Sequence, residues 1–162
     1  DVEYVYDGLM KLGADIAVET VDMVLDNDGN VPAQEQEALI PTSEPLHPAP
    51  KIFKETCQIC WDKPAKTVYD FIRGLSPYPG AWTTLHKDQK ATELKIYKAA
   101  KTGKPVGDAK PGSIETTKKA LYMACADEWL EILSLQLAGK KRMEASAFIN
   151  GNKGLADCTV DA

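Results

Sequence analysis

Five prolines fall between residues 27 and 51: Pro32, Pro41, Pro45, Pro48 and Pro50. A stretch this dense in proline lacks backbone donors and can neither continue a helix nor enter the middle of a sheet. It also carries acids and has no long apolar period, so it is expected to be an extended tether that contains a domain boundary. Any packed structure must come from the residues on either side, and those two sides differ in charge. Residues 1–50 hold one basic residue, Lys11, against eleven acids, whereas residues 51–162 hold eighteen basic residues against thirteen acids. The net charge of −5 is therefore an average over two unlike parts. For the basic part, a solvated lysine surface is the plainer reading and a polyanion-binding surface the sharper one.

On the acidic side, Val5, Leu9, Leu12 and Ile16 recur at helical spacing, and Val21, Val24 and Leu25 extend the face, so residues 1–26 are expected to form a helix. Asp26-Asn27-Asp28-Gly29-Asn30 stops it. A length of 162 residues suits one medium domain, or a small one with an appendage. The chain opens on Asp1 with no charged-then-apolar leader, and it reads as a piece of something longer. No window approaches 18 consecutive apolar residues, which excludes an ordinary membrane-spanning helix.

On the basic side, residues 51–61 are expected to be a short extended segment. Asp62 then stands as an N-cap before a helix over about 63–73, with Pro64 in the first turn and Ala65, Val68, Phe71 and Ile72 on its apolar face. Gly74 is the expected stop, and Pro77 and Pro79 enforce an extended turn. Strands are expected at 81–85, 93–99, 112–115, 120–126 and 129–137, the last with Leu133, Leu135 and Leu137 on one face. Turn residues separate them at the spacing of a small barrel. A short helix is expected over 145–149. The fold class is thus mainly β with helices: a small OB-like barrel preceded by a helix, plus a detached N-terminal helix and a proline-rich linker. The domain division is 1–26, 27–51, 52–151 and a polar, frayed tail at 152–162.

Catalytic motifs are sparse. P-loop, GxGxxG and GxSxG patterns are missing, and His47 and His86 show no acid or nucleophile beside them in the sequence. Cys57-Gln-Ile-Cys60 has the spacing of a zinc knuckle, but no second ligand pair follows, so buried or free thiols are favoured over metal. With no disulfide framework indicated, a reducing cytosol is the default. What remains is the basic content: Lys51 and Lys54 at the linker exit, Lys63, Lys66 and Arg73 around the second helix, Lys95 and Lys98 in a strand, and the triplet Lys140-Lys141-Arg142 after the last long strand. OB-like barrels bind oligonucleotides on one face and its loops, and phosphate contact needs clustered lysine and arginine.

Arg73-Gly74-Leu75-Ser76-Pro77-Tyr78-Pro79-Gly80-Ala81-Trp82 resembles the segment after the first helix in the C-terminal domain of methionyl-tRNA formyltransferases. Leu133-Ser134-Leu135-Gln136-Leu137-Ala138-Gly139-Lys140-Lys141-Arg142-Met143 resembles that family's last barrel strand and turn. Pro48-Ala49-Pro50-Lys51-Ile52 and Trp61-Asp62-Lys63-Pro64-Ala65 are similar to its strings at the same places. Residues 1–25, with Leu12-Gly13-Ala14, look like the closing helix of its N-terminal folate-binding domain. Cys60 departs from the family, which usually has an aspartate before the tryptophan, and that departure creates the apparent CxxC.

The resemblance implies a parent enzyme that moves a formyl group from 10-formyltetrahydrofolate to the amino group of methionyl initiator tRNA. It implies no catalytic residue, metal or cofactor in this segment, which alone should be inactive. Its implied partners are the tRNA and its own N-terminal catalytic domain, in the cytoplasm and without a membrane. The residues implied for tRNA contact are Lys51, Lys54, Arg73, Lys140, Lys141 and Arg142, with helix capping or bracing of the proline turn an equal alternative for Arg73. Pro77, Tyr78, Pro79 and Trp82 read as packing residues ahead of base-stacking ones. Two other readings stay open: the barrel of a related folate-dependent formyltransferase or hydrolase, and a non-catalytic interaction barrel.

Overall fold

The computed structural model describes residues 1–40, 45–87, 89–152 and 154–161; Pro41 of the linker and Lys153 and Ala162 of the expected tail lie outside them. The chain divides into two compact units, residues 4–51 and residues 52–162 with 1–3. The first holds most of helix α1 (Val2–Asp26), none of whose residues is buried, and a short 3-10 turn at Gln36–Leu39.

The second unit is a small barrel with helices. After a 3-10 turn at Glu55–Cys57 come α2 (Ala65–Leu75), β1 (Ala81–Lys87), β2 (Lys90–Pro105), β3 (Ile114–Thr116), β4 (Leu121–Ala124) and β5 (Glu128–Leu137). The order closes with β6 (Met143–Glu144), α3 (Ala145–Gly151) and β7 (Thr159–Val160). The strands run β3-β4-β5-β2-β1-β7, with β6 on β5. Neighbours are antiparallel, and a bridge from Ser113 to Thr159 joins the two ends of the sheet. That bridge makes the barrel nearly closed and leaves little open edge. Leu94, Ile96, Leu121, Met123, Leu130, Ile132 and Leu135 fill its interior with no exposed surface, and Trp61 and Phe148 are as deeply buried.

Sequence pattern accounts for most of these elements. Helix α2 buries Ala65, Val68, Ile72 and Leu75, a stripe at spacings of three and four. Its ends differ from expectation. Pro64, not Asp62, occupies the N-cap, and the first orphan donor, the Ala65 N–H, is taken by Asp127 Oδ1 at 2.7 Å. Gly74 does not stop the helix, which runs to Leu75. Ser76 precedes Pro77 and is pushed to extended backbone, and this ends it.

Other differences concern the strands and the tail. The segment 51–61 is not simply extended, because Glu55–Cys57 forms a 3-10 turn and only Gln58 bridges, in parallel, to Trp82 of β1. In β5 the buried positions are Trp129, Leu130, Ile132, Ser134 and Leu135, while Leu133 and Leu137 are half-buried. The phase changes because β2 carries an extra residue between Ile96 and Lys98, and β5 one between Ser134 and Ile132, in their pairing. Beyond Gly151 the described residues are not a frayed tail. Leu155, Cys158 and Val160 are buried, and β7 pairs with β1 as Leu85 to Val160 and His86 to Thr159. No described helix is long and apolar enough to cross a membrane.

Candidate functional site

The bulge in β2 creates the most distinctive surface of the barrel. Leu94 and Ile96 point inward with period two, but the next buried residue is Ala99. The slip turns Tyr97 and Lys98 out together, where α2 presents Tyr69, Asp70 and Arg73. Arg142, arriving after β5, completes a cleft with them. Its Nε donates to Ser134 Oγ at 3.0 Å, and its guanidinium lies 4.5 Å from the centre of the Tyr97 ring. The Tyr97 hydroxyl donates to Gln136 Oε1 at 2.7 Å, and Gln136 Nε2 donates to the Lys140 carbonyl at 2.7 Å. The turn carrying the basic triplet is therefore tied to the cleft through Gln136.

On α2 the charges are arranged by helical spacing. Asp70 Oδ2 accepts from Lys66 Nζ and Oδ1 from Arg73 Nε, both at 2.8 Å. These two donors hold the Asp70 carboxyl down at about 2, below its ordinary 3.8. A depressed carboxyl stabilises the fold above its unfolded value and loses that contribution as pH falls through the folded one. Asp70→Asn is therefore expected to flatten the stability change between about pH 4 and about pH 2, as thermal unfolding across an acid series would read. The effect is small because all three groups are exposed to solvent.

The six candidate residues are not gathered in one place. Arg73 and Arg142 share the cleft, with Arg73 engaged to Asp70 rather than to a helix cap or the proline turn. Lys140 and Lys141 are exposed on the turn after β5. Lys54 lies elsewhere, in a groove with Lys95 and Trp82. Its ammonium is 2.6 Å from Glu93, which raises its pKa, and 5.7 Å from the Trp82 ring. Lys51 is exposed and belongs to the other unit. Sequence reasoning counted Lys98 among the strand lysines but left it out of the contact residues, although the break in alternation after Ile96 was a signal for it. It passed over Lys101, whose ammonium stands 5.7 Å from the Tyr69 ring, and no local pattern marks that pairing.

The remaining reactive groups are structural. His86 does have an acid beside it: Asp161 Oδ1 lies 2.5 Å from His86 Nε2 across the β1–β7 seam. A separation of 75 residues hid that pair from sequence reasoning. Hydrogen bonds from Thr84 and His86 lower the Asp161 pKa. Both side chains are exposed, and together they fasten the last strand. Cys57, Cys125 and Cys158 are buried and Cys60 is exposed, and none of the four is in a disulfide. Burial, with Asp127 and Glu128 nearby, pushes the Cys125 thiol up to about 12, so it stays protonated and inert. Among the described residues no three His, Cys, Asp or Glu side chains are placed to hold a metal.

Comparison with known proteins bears on this surface. The family model described as formyl transferase, C-terminal domain, matches residues 51–153. The chain is 50% identical over 163 residues to a methionyl-tRNA formyltransferase of Parabacteroides distasonis, a match covering 99% of this chain and 49% of that protein. It is 48% identical over 153 residues to the enzyme of that name from Phocaeicola vulgatus, covering 93% of this chain and 46% of the relative. A third, from Porphyromonas gingivalis, is 43% identical over 148 residues, covering 90% and 45%. The chain thus spans about half the length of these relatives.

Proposed function

The chain belongs to the formyl transferase C-terminal domain family, and on that premise we propose that it is the tRNA-holding part of a methionyl-tRNA formyltransferase. The observation that carries this reading is the 50% identity over 99% of the chain to a protein of that name twice its length. The parent reaction passes a formyl group from 10-formyltetrahydrofolate to the amino group of methionyl initiator tRNA in the cytoplasm. The chemistry belongs to an N-terminal core, and residues 52–151 contribute by position. Contacts far from the reacting amine fix its approach, which raises rate without any group of this barrel touching the reacting atoms. Residues 1–26 are the closing helix of that core. In support, α1 buries none of its residues although Leu9, Leu12 and Ile16 lie along it. Residues 27–51 are the tether.

In this reading Lys51, Lys54, Arg73, Lys140, Lys141 and Arg142 contact phosphates, Arg73 and Arg142 from a fixed cleft and Lys140 and Lys141 from an exposed turn. Binding to initiator tRNA is expected to weaken steeply with salt, about 0.7–0.9 units of logarithmic slope for each phosphate neutralised. The double variant Lys140→Ala/Lys141→Ala should reduce that slope by about 1–2 while leaving the melting temperature unchanged. Arg142 is kept out of this variant because its contacts to Tyr97 and Ser134 are part of the barrel wall. An unchanged slope removes the turn from the interface. No binding of tRNA even at low salt overturns the reading in favour of a barrel serving another formyltransferase or a protein partner. Formylation by this chain alone is expected to be undetectable, and turnover would place catalysis within it.

A further inference from the structure

Packing does not account for all of the Pro77–Trp82 turn. Trp82 is half-buried, and its Nε1 donates to the Lys54 carbonyl at 2.8 Å. Tyr78 does the opposite, with 85% of its surface exposed. Proline on each side fixes its backbone neighbours, and Lys95 Nζ donates to the Pro79 carbonyl at 3.2 Å. The ring is therefore held out on a stiff base. Among the described residues from Ile52 onward, the exposed large apolar side chains are Ile52, Phe53 and Tyr78. All three line a single groove of about 250 Å3. Singly exposed apolar residues need no explanation, but a gathered set rimmed by charge marks an interaction site.

The charge on the groove selects among occupants. Its charged lining residues are Lys54 and Lys95, both cationic. Each uses an N–H on the protein, to Glu93 and to the Pro79 carbonyl, and an ammonium has three donors to offer. Lysine is depleted at the centre of protein–protein interfaces. Exposed aromatic faces beside lysines are instead the two components of single-strand nucleic-acid binding, where bases stack and phosphates meet cations. The groove is smaller than the 300–1,000 Å3 typical of small-molecule pockets, which suits a single ring.

We propose that this groove is a stacking platform for an unpaired nucleotide, with the base on the Tyr78 ring and its phosphate on Lys54 and Lys95. The inference rests on the tRNA reading and refines it: an unpaired end is held here, while the cleft and the turn after β5 hold paired phosphates. The test compares two RNA hairpins of acceptor-stem sequence at low salt, one carrying an unpaired 3′ tail and one blunt. The intact chain is expected to bind the tailed hairpin about tenfold more tightly, the scale of one stacked base. Tyr78→Ala should abolish that preference without lowering the melting temperature, and Tyr78→Trp should keep it.

Equal affinity of the intact chain for both hairpins overturns the platform while the tRNA reading stands. A tail preference that survives Tyr78→Ala also overturns it. Failure to bind either hairpin overturns both. If the intact chain is a dimer by light scattering and Tyr78→Ala makes it monomeric, the groove joins two copies of the chain and the proposal is wrong.

Discussion

Trp61→Ala is expected to lower the stability of the barrel by about 3–5 kcal/mol, the range for emptying a fully buried aromatic site. Trp61 has no exposed surface, and its Nε1 donates to Thr83 Oγ1 at 3.1 Å inside the core. One residue earlier on β1, the Trp82 carbonyl accepts the Ile59 N–H at 2.8 Å. The strap leading to α2 is thus laid against two successive β1 residues, by backbone at one and by the indole at the other. Removing the indole opens a cavity and orphans the Thr83 hydroxyl at the same point. Small domains are stable by only about 5–15 kcal/mol, so the variant should sit near the edge of folding. Trp61→Phe separates the two effects. It keeps most of the ring and should cost about 1–3 kcal/mol for the lost buried hydrogen bond. Part of that cost should return in Trp61→Phe/Thr83→Val, where neither partner is left polar. Urea unfolding of the intact chain, Trp61→Phe, Thr83→Val and the double variant forms a double-mutant cycle. Independent costs at the two positions would show that the Trp61–Thr83 bond does not fasten the strap.

What the sequence revealed, and what it hid, follows the distance over which each feature is determined. Helix α2 was legible because Ala65, Val68 and Ile72 repeat within two turns and Pro64 marks the start. The five longer strands were legible because turn residues separate them. The cap on α2 was not, since Asp127 lies 62 residues from the Ala65 N–H it accepts. Asp62, the local candidate, was the wrong acid. The phase of β5 failed for a related reason. Leu133, Leu135 and Leu137 alternate as a buried face should, but paired bulges with β2 bury Ser134 beside Leu135 and leave Leu133 and Leu137 half-buried.

The candidate site divides in the same way. Lys140-Lys141-Arg142 was visible as a run of charge, yet its members differ. All three are exposed, but Arg142 is also committed to Tyr97 and Ser134. Run length reports charge density, and only the folded neighbours decide which cation is held in place. Lys101 meets Tyr69 through α2–β2 packing that no local window contains. The Pro77–Trp82 group also splits. Trp82 is packed, as its apolar bulk suggests, whereas Tyr78 is exposed because the turn that holds it points away from the barrel.

Gly112→Ala is expected to be about as damaging as Trp61→Ala, although it adds a single methyl group. Gly112 has a φ of +81°, a region that costs an alanine about 1–2 kcal/mol. A Cβ built there would also lie 2.5 Å from the Val160 carbonyl oxygen, a backbone atom with no rotamer to turn aside. Gly112 stands where the barrel closes: its N–H donates to the Ala124 carbonyl and its carbonyl accepts the Val160 N–H, each at 2.9 Å. Displacing β7 by even a fraction of an ångström would strain the Ser113–Thr159 bridge and the pairing of Val160 with Leu85. A loss of about 3 kcal/mol or more is expected, with a melting temperature lower by over about 10 °C. Deletion of residues 155–162 should produce a loss of similar size, because it removes the same seam together with buried Leu155 and Cys158. The decisive measurement combines the two changes. Without Val160 there is no oxygen for the new methyl to meet, so Gly112→Ala in the shortened chain should cost only the about 1–2 kcal/mol of its backbone conformation. If the costs of substitution and deletion simply add, the close approach of β7 to Gly112 is not what closes the barrel.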